Sequence, residues 1–233
     1  MLAAGYYFLS LVLVLVIIIG YRKAGIIAGS SSKSINRSSL LILILTSGWF
    51  VYLWLIQQSN LLQDNSLPPK MPLFLFLPFI IFTVVFYRKN RNNEVLKAMP
   101  KSWLVYIQSF RIVVELLILF TFFKGILPLS ATFEGYNFDI LMGLTAPLIA
   151  YFLFRIEVKH LWLAKAYNLF GIGMILFVAF IVATSFYQPQ MWGSEVPLVS
   201  NEFFTYPYLL LPGFLAPMGI FFHVVSLLQL RGK

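Results

Sequence analysis

Seven apolar runs of 17 residues or more recur along this chain between short polar stretches, at about 5–21, 39–57, 72–88, 102–123, 137–155, 161–186 and 205–229. No other feature restricts the fold as tightly. Each run is close to the roughly 20 residues a helix needs to cross about 30 Å of hydrocarbon. The runs are continuous and lack the apolar–polar alternation of a barrel strand, so helices are expected. Composition agrees. Hydrophobic residues make up 60% of the 233 and charged residues 11%, against about 25% charged in an ordinary soluble domain. Too little polar material exists to clothe a water-facing surface. The expected fold class is an all-α integral membrane protein with seven transmembrane helices. It forms a single domain over residues 1–233, with no soluble domain.

The basic residues orient those spans, because lysine and arginine accumulate on the cytoplasmic side. Arg22, Lys23, Lys33 and Arg37 fall in the first connection. Arg88, Lys89, Arg91, Lys97 and Lys101 fall around the third. Arg155, Lys159 and Lys165 lie around the fifth, and Arg231 and Lys233 in the tail. That places 14 of the 17 basic residues on one side. The other connections hold only Lys70 and Lys124, alongside Asp64, Glu134, Glu195 and Glu202. The alternation predicts an N-terminus outside and a cytoplasmic C-terminus, in a cell membrane of the bacterial inner (plasma) type. No basic residue precedes the first apolar run, the reverse of a secretory signal, so that run is expected to be retained as a span. Tyr6, Tyr7, Tyr187 and Tyr206 fall near the outer face, where aromatic rings of interfacial belts are expected.

Several function classes drop out. The chain has no Cys, which removes disulfides, cysteine-ligated zinc, iron–sulfur clusters and thiol nucleophiles. With only two His, no metal site and no cofactor are expected. The net charge of +9 reads as a topology signal, with membrane lipid as the partner and not nucleic acid.

The exception to all this apolarity is "YIQSFRIVVELLILF", 106–120, which carries Arg111 and Glu115 inside the fourth run. Gln108, Arg111 and Glu115 are spaced i, i+3, i+7 and share one helix face. A charge at the bilayer centre costs roughly 2.5–3.5 kcal/mol on insertion scales, so this face should point into the bundle. The i, i+4 spacing allows an Arg111–Glu115 pair. A second cluster, Glu134, Asn137 and Asp139, begins the fifth run, with Gly135 permitting a tight turn. Asn137 suits an N-cap and Asp139 a first helical turn. The short connection between runs four and five brings Asp139 and Glu134 toward the outer part of run four, above Glu115. Arg111, Glu115, Asp139, Glu134, Asn137 and Gln108 are thus the candidate residues for binding a small molecule, an ion or a proton. No catalytic residue is assigned.

The last run has Pro207, Pro212 and Pro217 at intervals of five, as in the broken helices that line transporter sites. "MPLFLFLPFIIF" in run three echoes "YPYLLLPGFLAPMGIF" in run seven, as a parallel repeat would. "NLFGIGM" in run six reads as close helix packing at Gly171 and Gly173. His160 and His223 read as polar residues toward the inner side. An opsin-like pigment is excluded, since the last run holds no lysine for a retinal Schiff base. Three functions remain. The first is a secondary transporter or proton-coupled permease, with a polar site between spans four, five and seven open to the outer face. The second is an integral membrane enzyme acting on a lipid. The third is a sensor or assembly subunit in which the ion pair is structural. No serine elbow, clustered His or paired-aspartate motif supports the enzyme.

Overall fold

A computed structural model describes residues 2–154 and 160–231. Arg155, Lys159 and Lys233, together with the end of the fifth apolar run, lie outside the described residues. Among the described residues the chain is all helical. Six helices are long and apolar enough to cross a membrane: α1 (Leu2–Ile27), α2 (Ser32–Gln58), α3 (Pro72–Lys89), α5 (Lys101–Phe123), α7 (Leu161–Tyr187) and α8 (Leu211–Gln229). A short amphipathic piece, α4 (Glu94–Ala98), and a shorter apolar helix, α6 (Ile140–Phe154), complete the set.

Around the first connection the helix ends do not coincide with the edges of the apolar runs. The first connection is almost entirely helical: α1 continues past Arg22 and Lys23 to Ile27, and α2 already includes Lys33 and Arg37. The turn between them is confined to 28–31. There Gly29 takes φ +68°, and Ser31 caps α2 by accepting from the Ser34 N–H at 3.3 Å. Apolar composition marks where side chains are greasy, whereas the caps mark where the helix stops. In the third connection Asn93 caps α4 through the N–H groups of Val95 and Leu96 at 3.0 and 3.2 Å. Gln229, at the end of α8, donates to the carbonyls of Leu96 and Met99 at 2.7 and 3.0 Å, fastening α4 beneath the bundle.

Helix α8 is the central element. Most of its residues are buried, and it packs on α7, α5 and α3. Helix α2 is its opposite: Leu40, Leu41, Leu43, Ile44, Leu45, Val51, Trp54 and Leu55 are all exposed. An apolar exterior around a mixed polar interior is the arrangement a hydrocarbon solvent favours.

The last run differs from expectation. Residues 205–210 form turns, and α8 begins only at Leu211, so Pro207 lies outside the helix. Both α3 and α8 open with a single π turn, Pro72–Phe76 and Leu211–Leu215, followed by regular α-helix carrying Pro78 and Pro217 in its first turn. The echo between the two runs is therefore an echo in backbone. Each proline lacks the N–H that would meet the carbonyl four residues back. Two side chains of α2 take over. Tyr52 Oη donates to the Phe74 carbonyl at 2.7 Å, and Trp49 Nε1 donates to the Gly213 carbonyl at 2.7 Å.

The tyrosines expected in an interfacial belt serve inside the bundle as well. Tyr6 is fully buried, its hydroxyl 2.7 Å from Thr121 Oγ1. Tyr187 Oη accepts from the Met71 N–H at 2.9 Å, and Tyr206 Oη donates to the Phe50 carbonyl at 3.0 Å.

Candidate functional site

The polar centre lies where α5, α6, α7 and α8 meet. Arg111 is 2% exposed. Its Nε donates to Asp139 Oδ2 at 2.7 Å, and Nη2 meets Oδ1 of the same carboxylate, a two-armed pair across helices. Nη1 lies 3.1 Å from His223 Nε2, and Nη2 also reaches the Gly171 carbonyl at 3.4 Å. His223 Nδ1 is 2.9 Å from Asn168 Oδ1, while Asn168 Nδ2 donates to the Ala164 carbonyl at 2.8 Å.

These contacts define the imidazole's tautomer. Guanidinium has donors and no acceptor, so His223 Nε2 must accept. The Asn168 amide presents its oxygen to the ring because its nitrogen is committed to Ala164. His223 therefore carries its proton on Nδ1 and is neutral. Close packing makes the contact possible. A Cβ added at Gly171 would collide with the His223 ring, so only glycine leaves both the ring and the Gly171 carbonyl at the guanidinium.

Glu115 is also buried, at 1% exposure, but it does not share Arg111. Among the described residues Arg111 pairs with Asp139 alone. Glu115 Oε2 instead accepts from Asn137 Nδ2 at 2.6 Å. That amide is fully used: its nitrogen also donates to the Ala131 carbonyl at 3.0 Å, and its oxygen accepts the Asp139 N–H at 2.9 Å. Asn137 thus closes a turn ahead of the helix instead of capping it. Asp139 immediately precedes α6 and turns its carboxylate toward Arg111, away from the first-turn amides.

The connector explains this depth. Between Lys124 and Asp139 the chain dives into the bundle, with Ile126, Leu127, Ala131, Thr132 and Asn137 all buried. Its backbone is satisfied from within and from a neighbouring connection: Thr132 Oγ1 donates to the Leu129 carbonyl at 2.9 Å, and the Ser200 N–H, from the stretch between α7 and α8, donates to the Ile126 carbonyl at 3.0 Å. Gly135 has no positive φ. It is needed because a Cβ there would strike the backbone of Leu129 and Ser130. Glu134 stands apart, exposed, with only its own N–H bonded to Thr132 Oγ1 at 3.2 Å. Gln108 is buried in a 3₁₀ turn of α5 and donates to the Gly219 carbonyl at 3.2 Å.

A cavity of about 50 Å³ adjoins the centre. Arg111, Glu115 and Asp139 are the charged groups in a wall otherwise made of apolar side chains, glycine and proline, among them Phe110, Val114, Ile175 and Phe203. That volume holds a few waters or a small ion, at about 10–15 Å³ each on this measure. Chemically, the arrangement separates two carboxylates. One is consumed by an arginine, and the other keeps only an amide donor and faces the cavity.

Asn168 and His223 complete the centre without having been singled out as candidates. Their signal was the same as that of Arg111, a polar side chain well inside an apolar run. Gly173, paired with Gly171 in the sequence reading, faces open space.

No curated protein and no solved structure matches this chain. A family profile described as a domain of unknown function, DUF8737, matches residues 68–231. The matched stretch contains the whole polar centre, from Gln108 to His223, and leaves α1 and α2 outside. The chain belongs to the DUF8737 family, a domain of unknown function.

Proposed function

We propose that this chain is an integral membrane protein acting as a proton-coupled permease, a secondary transporter with its polar site between α5, α6 and α8. In this reading α6 is the fifth of seven spans, the N-terminus lies outside, and the basic end faces the cytoplasm. The concentration of lysine and arginine at one end supports that orientation. Helix α6 has 15 residues, about 22 Å of helix, and starts below the membrane surface. The buried connector before it is tolerable there because it is enclosed by protein.

One observation carries the reading. Glu115 is a carboxylate inside the bundle that faces a cavity, and the nearby arginine is occupied by Asp139. Ionisable groups within membrane spans mark ion and proton pathways. A carboxylate with only an amide partner is free to exchange a proton or a small cation. Arg111 and Asp139 hold the wall in which it sits. Reconstitution into proteoliposomes with a pH-sensitive dye inside tests this: proton-coupled uptake is expected in wild type and lost in Glu115→Gln. Unchanged flux in that variant overturns the role of Glu115.

A second reading, a sensor or assembly subunit, is supported by the completeness of the Arg111 shell, in which every arm of the guanidinium is engaged. Isolation from native membranes with a stoichiometric partner, together with absence of any flux, favours that reading over transport.

A further inference from the structure

Away from the polar centre, two observations converge on the face between α3 and α8. An apolar groove of about 310 Å³ is lined by Ile80, Thr83, Val84, Tyr87, Ile220 and Val224. At the basic end the groove finishes on Tyr87, whose ring carries two guanidiniums. Arg91 and Arg231 lie 5.8 and 5.7 Å from its centroid, and Arg231 Nη1 donates to its hydroxyl at 3.1 Å.

Both arginines are exposed, and among the described residues neither meets a carboxylate. Glu94, the acid nearest Arg91 in sequence, is taken by Lys97 at 2.8 Å. Two exposed guanidiniums held at one ring concentrate positive charge at the end of the groove, which favours an anion there.

We propose that this face binds one anionic phospholipid. Its phosphodiester lies between Arg91 and Arg231, and one acyl chain fills the groove that runs along α3 and α8 from Tyr87. Guanidinium suits a phosphodiester because its planar fork presents paired donors to two oxygens. The site rests on the membrane reading above. It also fits the cytoplasmic placement of the basic end, the leaflet where anionic lipids attract basic residues.

The test uses the full chain in nanodiscs of phosphatidylcholine, alone or mixed with phosphatidylglycerol. Lipid retained after transfer to detergent is counted by native mass spectrometry. Wild type is expected to retain one phosphatidylglycerol with about a tenfold preference over phosphatidylcholine. R91Q/R231Q is expected to fall to parity. R88Q/K89Q, which removes the same charge from the residues that follow Tyr87 in sequence, is expected to keep the preference. Val84→Trp, with both arginines intact, is expected to lose the retained lipid while eluting as a folded monodisperse species. Equal loss in R88Q/K89Q and R91Q/R231Q would make the attraction diffuse and overturn the site. Displacement of the lipid by inorganic phosphate at comparable concentration would reassign it to a free anion. A chain that enters nanodiscs without any lipid preference overturns this site alone, whereas a chain that never enters them overturns the membrane reading with it.

Discussion

Arg111 and Asp139 form a two-armed salt bridge with Nε–Oδ2 at 2.7 Å, joining the middle of α5 to the residue immediately ahead of α6. The bridge sets how deep the connector must reach, and it leaves Glu115, one turn along α5, to Asn137. Removing one member of a buried pair strands the other charge, at a cost of about 3–5 kcal/mol. Asp139→Asn is therefore expected to destabilise by about that amount, read as an earlier unfolding transition in detergent. Glu115→Gln keeps an acceptor for Asn137 and strands no arginine, so its loss of stability is expected to stay below about 1 kcal/mol. The reverse ranking would mean that Glu115 is the structural partner of Arg111.

Trp49 and Tyr52 lie one turn apart on α2, and each serves a carbonyl that a proline leaves without its helical donor. Trp49→Phe and Tyr52→Phe keep the ring and remove the donor. Each is expected to cost about 1–3 kcal/mol, the penalty for a buried acceptor left unmet. The two carbonyls belong to different helices, so the double variant is expected to be additive within about 0.5 kcal/mol. Chemical denaturation of the single and double variants measures the cycle.

Two glycines two residues apart on α7 should behave differently. A Cβ at Gly171 runs into the His223 ring, whereas Gly173 has nothing within 4 Å. Gly171→Ala is expected to destabilise by about 1–3 kcal/mol through overpacking. Gly173→Ala is expected to be neutral or stabilising by up to about 1 kcal/mol, from helix propensity. Melting temperatures of the two variants in one detergent decide it.

Helix existence was readable from the chain because long apolar runs leave few alternatives, and most run limits lie near the helix limits. The approach of Asp139 to run four was readable too, from helix spacing and a short connector. Glu134, expected beside it, stands exposed, and Asn137, expected as a cap, is the residue that reaches Glu115. The pairing of Arg111 was not readable. Spacing of i, i+4 makes Arg111 and Glu115 look like partners, since a pattern on one helix registers only neighbours on that helix. The actual partner depends on how far the 124–139 connector descends, which is set by its packing and by the turn at Asn137. His223 and Asn168 escaped for the same reason. Each lies on a separate run, and only the crossing of α7 and α8 brings them to one guanidinium. The late start of α8 at Leu211 was likewise hidden, because residues 205–210 are as apolar in turns as they would be in a helix.

The hydrogen-bond chain from Ala164 through Asn168 and His223 to Arg111 has one consistent assignment of protons. Asn168 Nδ2 donates to Ala164, its oxygen accepts from His223 Nδ1, and Nε2 accepts from Arg111. An imidazolium would aim an N–H at the guanidinium, two donors facing across 3.1 Å with no acceptor between them. The chain has two histidines, so His160→Asn leaves His223 as the one signal in a ¹⁵N-histidine-labelled sample. Solid-state NMR of that variant in lipid is expected to show a protonated Nδ1 and a bare Nε2. Asn168→Leu removes the acceptor that holds the proton on Nδ1. The same spectrum is then expected to broaden or shift, because the ring loses its reason to keep one orientation, while Nε2 continues to accept from Arg111. A doubly protonated ring in the His160→Asn sample would require a different partner for Arg111 Nη1 and would undo the assignment of the whole chain.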